Sequence, residues 1–117
     1  TLYSMVDHIE KFGVENMYLF FIEYNPDYTI ENVLFDKLYK FCELKEGGIL
    51  KYRLKDGNLR PGKFLRTGKA TVPNGDAFKS GLENTLPYWS EKRKQSIDEK
   101  TCNKLSILKE GMREEQL

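Results

Sequence analysis

The sequence holds one histidine, two cysteines and four prolines in 117 residues, and its formal net charge is only +1. Each shortage excludes something. A lone histidine, His8, cannot build the His-rich clusters that most catalytic zinc sites use. Cys42 and Cys102 form no C-x-x-C pair and have no zinc-site spacing. They are expected to be free thiols in a reducing compartment, with a single Cys42–Cys102 disulfide as the alternative. The longest apolar run, Met17 to Ile22, is far too short to span a bilayer. No signal-peptide pattern and no N-x-[ST] acceptor occurs. The expectation is an intracellular protein, cytoplasmic or nuclear, with no membrane partner, no metal and no cofactor.

What is present fits one packed domain. Apolar residues make up 39%, charged residues 32% and aromatics 13%, outside the disordered class. A chain of this length buries roughly two-thirds of its unfolded surface. Residues 1–117 are therefore expected to form a single α+β domain. The start at Thr1 is compatible with a fragment or processed product of a longer chain.

Periodicity gives the elements. Leu2, Met5, Val6, Ile9 and Phe12 recur at helical spacing before Gly13, so residues 2–12 read as a helix. Residues 17–24 read as a buried strand closed by the turn Asn25-Pro26-Asp27. Thr29 is the expected cap of a helix over 30–44, striped by Ile30, Val33, Leu34, Leu38 and Phe41 and ended by Gly47-Gly48. Leu50, Tyr52 and Leu54 alternate with Lys51 and Arg53, and Asp56-Gly57 follows. That pattern predicts a hairpin with one basic face. Pro61-Gly62 interrupts the returning arm, and 63–72 is expected to hold a second short strand. Asp76 is the expected cap of a helix that Pro87 kinks or ends. Ser96-Ile97-Asp98-Glu99 has the form of a capping box opening a last helix, striped by Ile97, Leu105, Leu108 and Met112 and frayed after about Lys109.

Chemistry-bearing patterns are scarce. Gly62 to Ala70 resembles a phosphate-binding P-loop only superficially. Five residues separate its glycines where four are needed, and Ala70 stands where a hydroxyl should bind magnesium. His8 has no nucleophile placed near it by sequence, and the carboxylates of residues 1–50 are scattered. The residues therefore argue against an enzyme. A small hydrolase or nuclease would need converging carboxylates beside the basic strand, for which Asp56 and Asp76 are the nearest candidates.

Charge distribution is the sharpest feature. Residues 1–50 carry four Lys and nine Asp/Glu, a net −5. Residues 51–95 carry eleven Lys/Arg and four Asp/Glu, a net +7, and residues 96–117 carry four and five, a net −1. Lys51, Arg53 and Lys55 share a face of the expected strand. Arg60, Lys63, Arg66 and Lys69 come from the returning arm, and Lys92, Arg93 and Lys94 extend the surface. Two architectures accommodate the hairpin. One is a β-α-β-β sheet packed by about four helices, which the strand character of 17–24 favours. The other is winged-helix-like, with Lys55-Asp56-Gly57-Asn58 as the wing tip. The expectation is a non-catalytic module in which those ten basic residues contact nucleic-acid phosphates with weak sequence preference. The alternative is a protein-interaction or assembly module that uses the acidic and basic faces. The bland reading is a solvated edge whose lysines discourage strand pairing.

Overall fold

The computed structural model describes the backbone of residues 1–116 and the side chains of residues 1–111. Helix α1 spans Leu2–Phe12. Thr1 caps it: its hydroxyl accepts the Ser4 N–H at 3.1 Å. Leu2 is the helix's fully buried anchor. A 3-10 turn at Val14–Asn16 leads into β1, Tyr18–Tyr24.

The first departure from expectation follows. Residues 30–37 form strand β2, Ile30–Lys37, not a helix. It pairs antiparallel with β1, Phe20 opposite Phe35 and Ile22 opposite Val33. The five-residue link explains the outcome. Tyr28 donates its N–H to the Asn25 carbonyl at 2.9 Å and takes a positive φ of 67°. A turn ending on a left-handed residue is a standard hairpin closure. Thr29 does not cap a helix. Its hydroxyl donates to Asp27 at 2.6 Å and locks that turn. Only residues 38–41 of the expected helix are helical, as α2, Leu38–Phe41. Without a helix at 30–37 the winged-helix alternative has no recognition helix, and the β-α-β-β order is lost as well.

Three further segments are short and interlocked. β3, Leu44–Lys45, pairs with β4, Ile49–Leu50. β5, Tyr52–Arg53, pairs with β6, Asn58–Leu59. The strand expected through Leu50, Tyr52 and Leu54 is thus broken at Lys51, whose N–H goes instead to the Glu43 carbonyl at 2.8 Å. The strands make three two-stranded ladders rather than one sheet. The expected strand within 63–72 is absent; a helical turn, α3, Phe64–Thr67, occupies it and ends on left-handed Gly68.

Helix α4 runs over Gly75–Gln116. The Asn74 side chain caps it, accepting the Ala77 N–H at 2.8 Å, so the cap lies two residues before Asp76. Pro87 neither ends it nor separates it from 97–109. The carbonyl that Pro87 leaves unpaired belongs to exposed Glu83, where water can satisfy it. Phe78, Leu82 and Trp89 hold the helix to the body on either side of the proline. The Ser96–Glu99 pattern lies mid-helix and caps nothing, and the backbone stays helical past Lys109.

The core sits where the first third of α4 crosses α1 and β4. Phe78, Leu82, Leu2, Leu50 and Val72 are its buried centre. Gly81 permits the approach of α4 to β4: a Cβ there would stand 3.0 Å from Leu50 Cγ. Buried Thr85 joins the two, its Oγ1 accepting the Leu50 N–H at 2.9 Å and donating to the Gly81 carbonyl. The fold is α+β, as expected. It is also elongated. The radius of gyration is 20.0 Å, where a compact chain of this length has about 13 Å. The 42 residues of α4 span about 63 Å at 1.5 Å each, which accounts for the 65 Å long axis.

Candidate functional site

The central turn is built around Asp56. Four residues, Leu54–Gly57, link Arg53 to its partner Asn58. The Asp56 carboxylate accepts from Arg53 through both Nε and Nη2, and from the Asn58 N–H and Nδ2 at 3.1 and 2.9 Å. The Arg53 guanidinium, followed by the Asn58 N–H, holds the Asp56 carboxyl well below the usual carboxylate range. An acid so occupied is not free for general-base work. Gly57 closes the turn with φ 68°, and its carbonyl accepts the Leu2 N–H at 2.8 Å.

The ten basic residues fall into separate groups. Arg60 donates its N–H to the Lys51 carbonyl, so Lys51, Arg53 and Arg60 share one face of the β5–β6 ladder. Two of these three have internal partners. Lys51 lies 3.9 Å from Glu43, and Arg53 is tied to Asp56. Lys55 sits in the turn, not on the strand with Lys51 and Arg53. Lys63 and Arg66 stand three apart at α3, and Lys69 follows Gly68. Among the described residues Lys55, Arg60, Lys63, Arg66 and Lys69 show no ion pair. The α4 triplet divides. Lys92 Nζ lies 5.7 Å from the Tyr88 ring, whereas Arg93 and Lys94 line a notch with Tyr3, Trp89 and Ile97.

Two features went unread in the sequence. The first is an open groove of about 640 Å³ beside Tyr52 and Tyr88, edged by Lys45, Glu46 and Lys51. Burial, and then the Tyr88 phenol, push the Tyr52 hydroxyl pKa up. The second is the β1–β2 ribbon. Residues directly opposite share a face, and the register assigns the two faces from Tyr18–Lys37 to Glu23–Asn32; it then shifts by one residue at Glu31, after which Tyr24 pairs with Ile30. Leu19 and Phe21 turn inward over a cavity of about 200 Å³ with Met5, Leu38, Phe41 and Leu65. The other face carries Tyr18, Phe20, Ile22 and Tyr24 opposite Lys37, Phe35, Val33 and Ile30. Tyr18 and Phe35 stack at 5.3 Å, and Phe20 meets Phe35 at 6.0 Å. Of these apolar side chains only Ile22 is half-buried; the others are 45% to 63% exposed. The strand at 17–24 is therefore present but not buried. Its alternation Tyr18, Phe20, Ile22, Tyr24 was the available signal.

Cys42 and Cys102 are both free, the first buried and the second exposed, so the disulfide alternative falls. Among the described residues no helix is long and apolar enough to cross a membrane. Comparison with protein-family models, curated proteins and solved structures finds no match to this chain.

Proposed function

We propose that this chain is a protein-interaction and assembly module working through the β1–β2 ribbon. The observation that supports it is the unpartnered aromatic face, Tyr18, Phe20, Tyr24 and Phe35 with Ile30 and Val33. Contiguous apolar patches beyond a few hundred Å² mark interaction sites on soluble proteins. A lone two-stranded ribbon is marginal in water and is stabilised by whatever packs on it. Binding of the apolar dye bis-ANS tests the reading. The native chain is expected to bind the dye, and a Phe20→Lys/Phe35→Lys variant is expected to lose most of the signal. Equal binding by both would sink it.

A second reading, nucleic-acid binding without catalysis, is favoured by a different observation. Lys55, Arg60, Lys63, Arg66 and Lys69 have no internal ion-pair partner among the described residues. The Tyr52–Tyr88 groove, with Lys45 and Lys51 at its edge, has the ring-plus-cation chemistry that stacks single-stranded bases. Titration with labelled single- and double-stranded oligonucleotides at rising salt tests it. Salt-dependent binding is expected, and binding indifferent to salt counts against phosphate contacts.

A further inference from the structure

We propose that the occupant of the aromatic ribbon face is the same face of a second copy of this chain, packed about a two-fold axis. The inference rests on the interaction-module reading and names its partner.

Three observations point to a second copy. The first is chemistry. Seven of the eight residues on the face are apolar, and the eighth, Lys37, is held by Glu15 at 3.5 Å. Glu23, Asn32 and Asp36 lie on the opposite face, and Glu31 is the extra residue of the bulge. Asp27 and Glu31 add negative charge at the tip and the bulge. A polyanion or an anionic membrane meets no free cation there and several carboxylates at the rim. A second apolar sheet face meets neither obstacle.

The second is area. Four half-exposed rings and their aliphatic neighbours offer roughly 600 Å² per copy, given the 150–250 Å² that an aromatic side chain buries. Two copies then bury roughly 1,200 Å², the lower edge of a specific interface. The third is geometry. An axis crossing the ribbon between the Phe20–Phe35 and Ile22–Val33 pairs sets each tip over the other's base. Ribbons stacked about 10 Å apart become a four-stranded sandwich with a dry centre.

Sedimentation velocity on the full chain over roughly 1 to 200 µM, the range expected for a small interface, tests this. A reversible monomer–dimer equilibrium is expected, little weakened by added salt. Phe20→Lys/Phe35→Lys is expected to weaken it at least tenfold with unchanged helix content. Leu105→Lys/Leu108→Lys, on the exposed part of α4, is expected to leave it intact. In a Cys102→Ser background, Val33→Cys near the axis is expected to crosslink with a short bismaleimide, whose reach spans facing sheets about 10 Å apart where a disulfide cannot, and Glu23→Cys on the far face is not. A native chain monomeric throughout overturns the proposal, as does a dimer that survives the ribbon substitutions or is abolished only by those in α4. A monomer that still binds bis-ANS on this face overturns the second copy alone. A monomer that binds none overturns the interaction reading with it.

Discussion

The Trp89 ring lies against Gly57 so closely that a Cβ on the glycine would stand 2.9 Å from Cε2. The same indole donates Nε1–H to the Leu54 carbonyl at 3.0 Å, and Tyr3 meets the ring edge-on at 5.4 Å. One tryptophan thus fastens the central turn, α1 and α4 together. Gly57→Ala adds both a clash and a left-handed alanine. The expected loss is about 2–3 kcal/mol in urea unfolding, from backbone strain and overpacking combined. Gly68→Ala has a similar φ with open space around it and should cost only about 1 kcal/mol. Equal losses at the two positions would show that the Trp89 contact is not what fixes the turn.

Thr85 supplies a second fastening, between α4 and β4. Thr85→Val removes the acceptor of the buried Leu50 N–H and is expected to cost about 1–3 kcal/mol, the penalty of an unsatisfied buried donor. Thr85→Ser keeps the hydroxyl and should recover most of that loss. Chemical denaturation of both variants decides the matter: a valine variant as stable as the serine one would remove the hydrogen bond from the account.

How far these contacts could be foreseen depends on how local they are. The helix at 2–12, the strand at 17–24 and the turn at 25–27 rest on neighbours in sequence, and they were legible. Residues 30–44 were not. Ile30, Val33, Leu34, Leu38 and Phe41 fit helical spacing, yet the short Asn25–Thr29 link joins 30–37 to a strand already in place, and pairing overrode the pattern. Pro87 suggested a break because its cost is local. Its relief comes from where Glu83 happens to face and from packing at Leu82 and Trp89. For the basic residues, the Arg53–Asp56 tie was within reach at three residues' separation, while Lys51–Glu43 needed β3 and β4 to be paired first. The exposed aromatic face was hidden by composition: six apolar residues in a row read as buried, but the body covers only one face of the ribbon.

The two thiols should separate cleanly. Burial pushes the Cys42 thiol up to about 12, whereas Cys102 is exposed. In the folded chain at neutral pH, alkylation followed by peptide mass mapping is expected to modify Cys102 and spare Cys42 until the protein is denatured. The raised value also links to stability. The fold favours the neutral thiol, so this contribution is whole below the ordinary thiol pKa of 9.0 and is lost as the pH rises from there towards about 12. Cys42→Ala should flatten that alkaline decline. Rapid labelling of native Cys42 at neutral pH would contradict its burial.

Acid should act through Asp56. Its folded pKa lies below the usual carboxylate value of 3.8 because Arg53 and the Asn58 N–H stabilise the charged form. The contribution is present above that ordinary value and is lost as the pH falls below it towards the lower folded one. Asp56→Asn is expected to lower the melting temperature near neutrality and to shrink the difference from the native chain as the pH is taken down. A constant difference at every pH would mean that the carboxylate charge contributes nothing.

The internal pairing of Arg53 also divides the nucleic-acid reading into parts that can be measured apart. If phosphates are contacted by the unpaired cations, Lys63→Gln, Arg66→Gln and Lys69→Gln should each reduce the slope of log affinity against log salt by about 0.7–0.9. Arg53→Gln breaks a contact inside the protein and should change that slope far less while loosening the 54–57 turn. Lys51→Gln, with Glu43 as its partner, should resemble Arg53→Gln. The contrast depends on internal pairing, not on proximity in sequence: Lys51 and Arg53 lie in the same basic run as the others and differ only in having carboxylates of their own. Equal slope changes at all five positions would mean that those ion pairs open on binding, and that the basic segment acts as one electrostatic surface rather than as a few free cations.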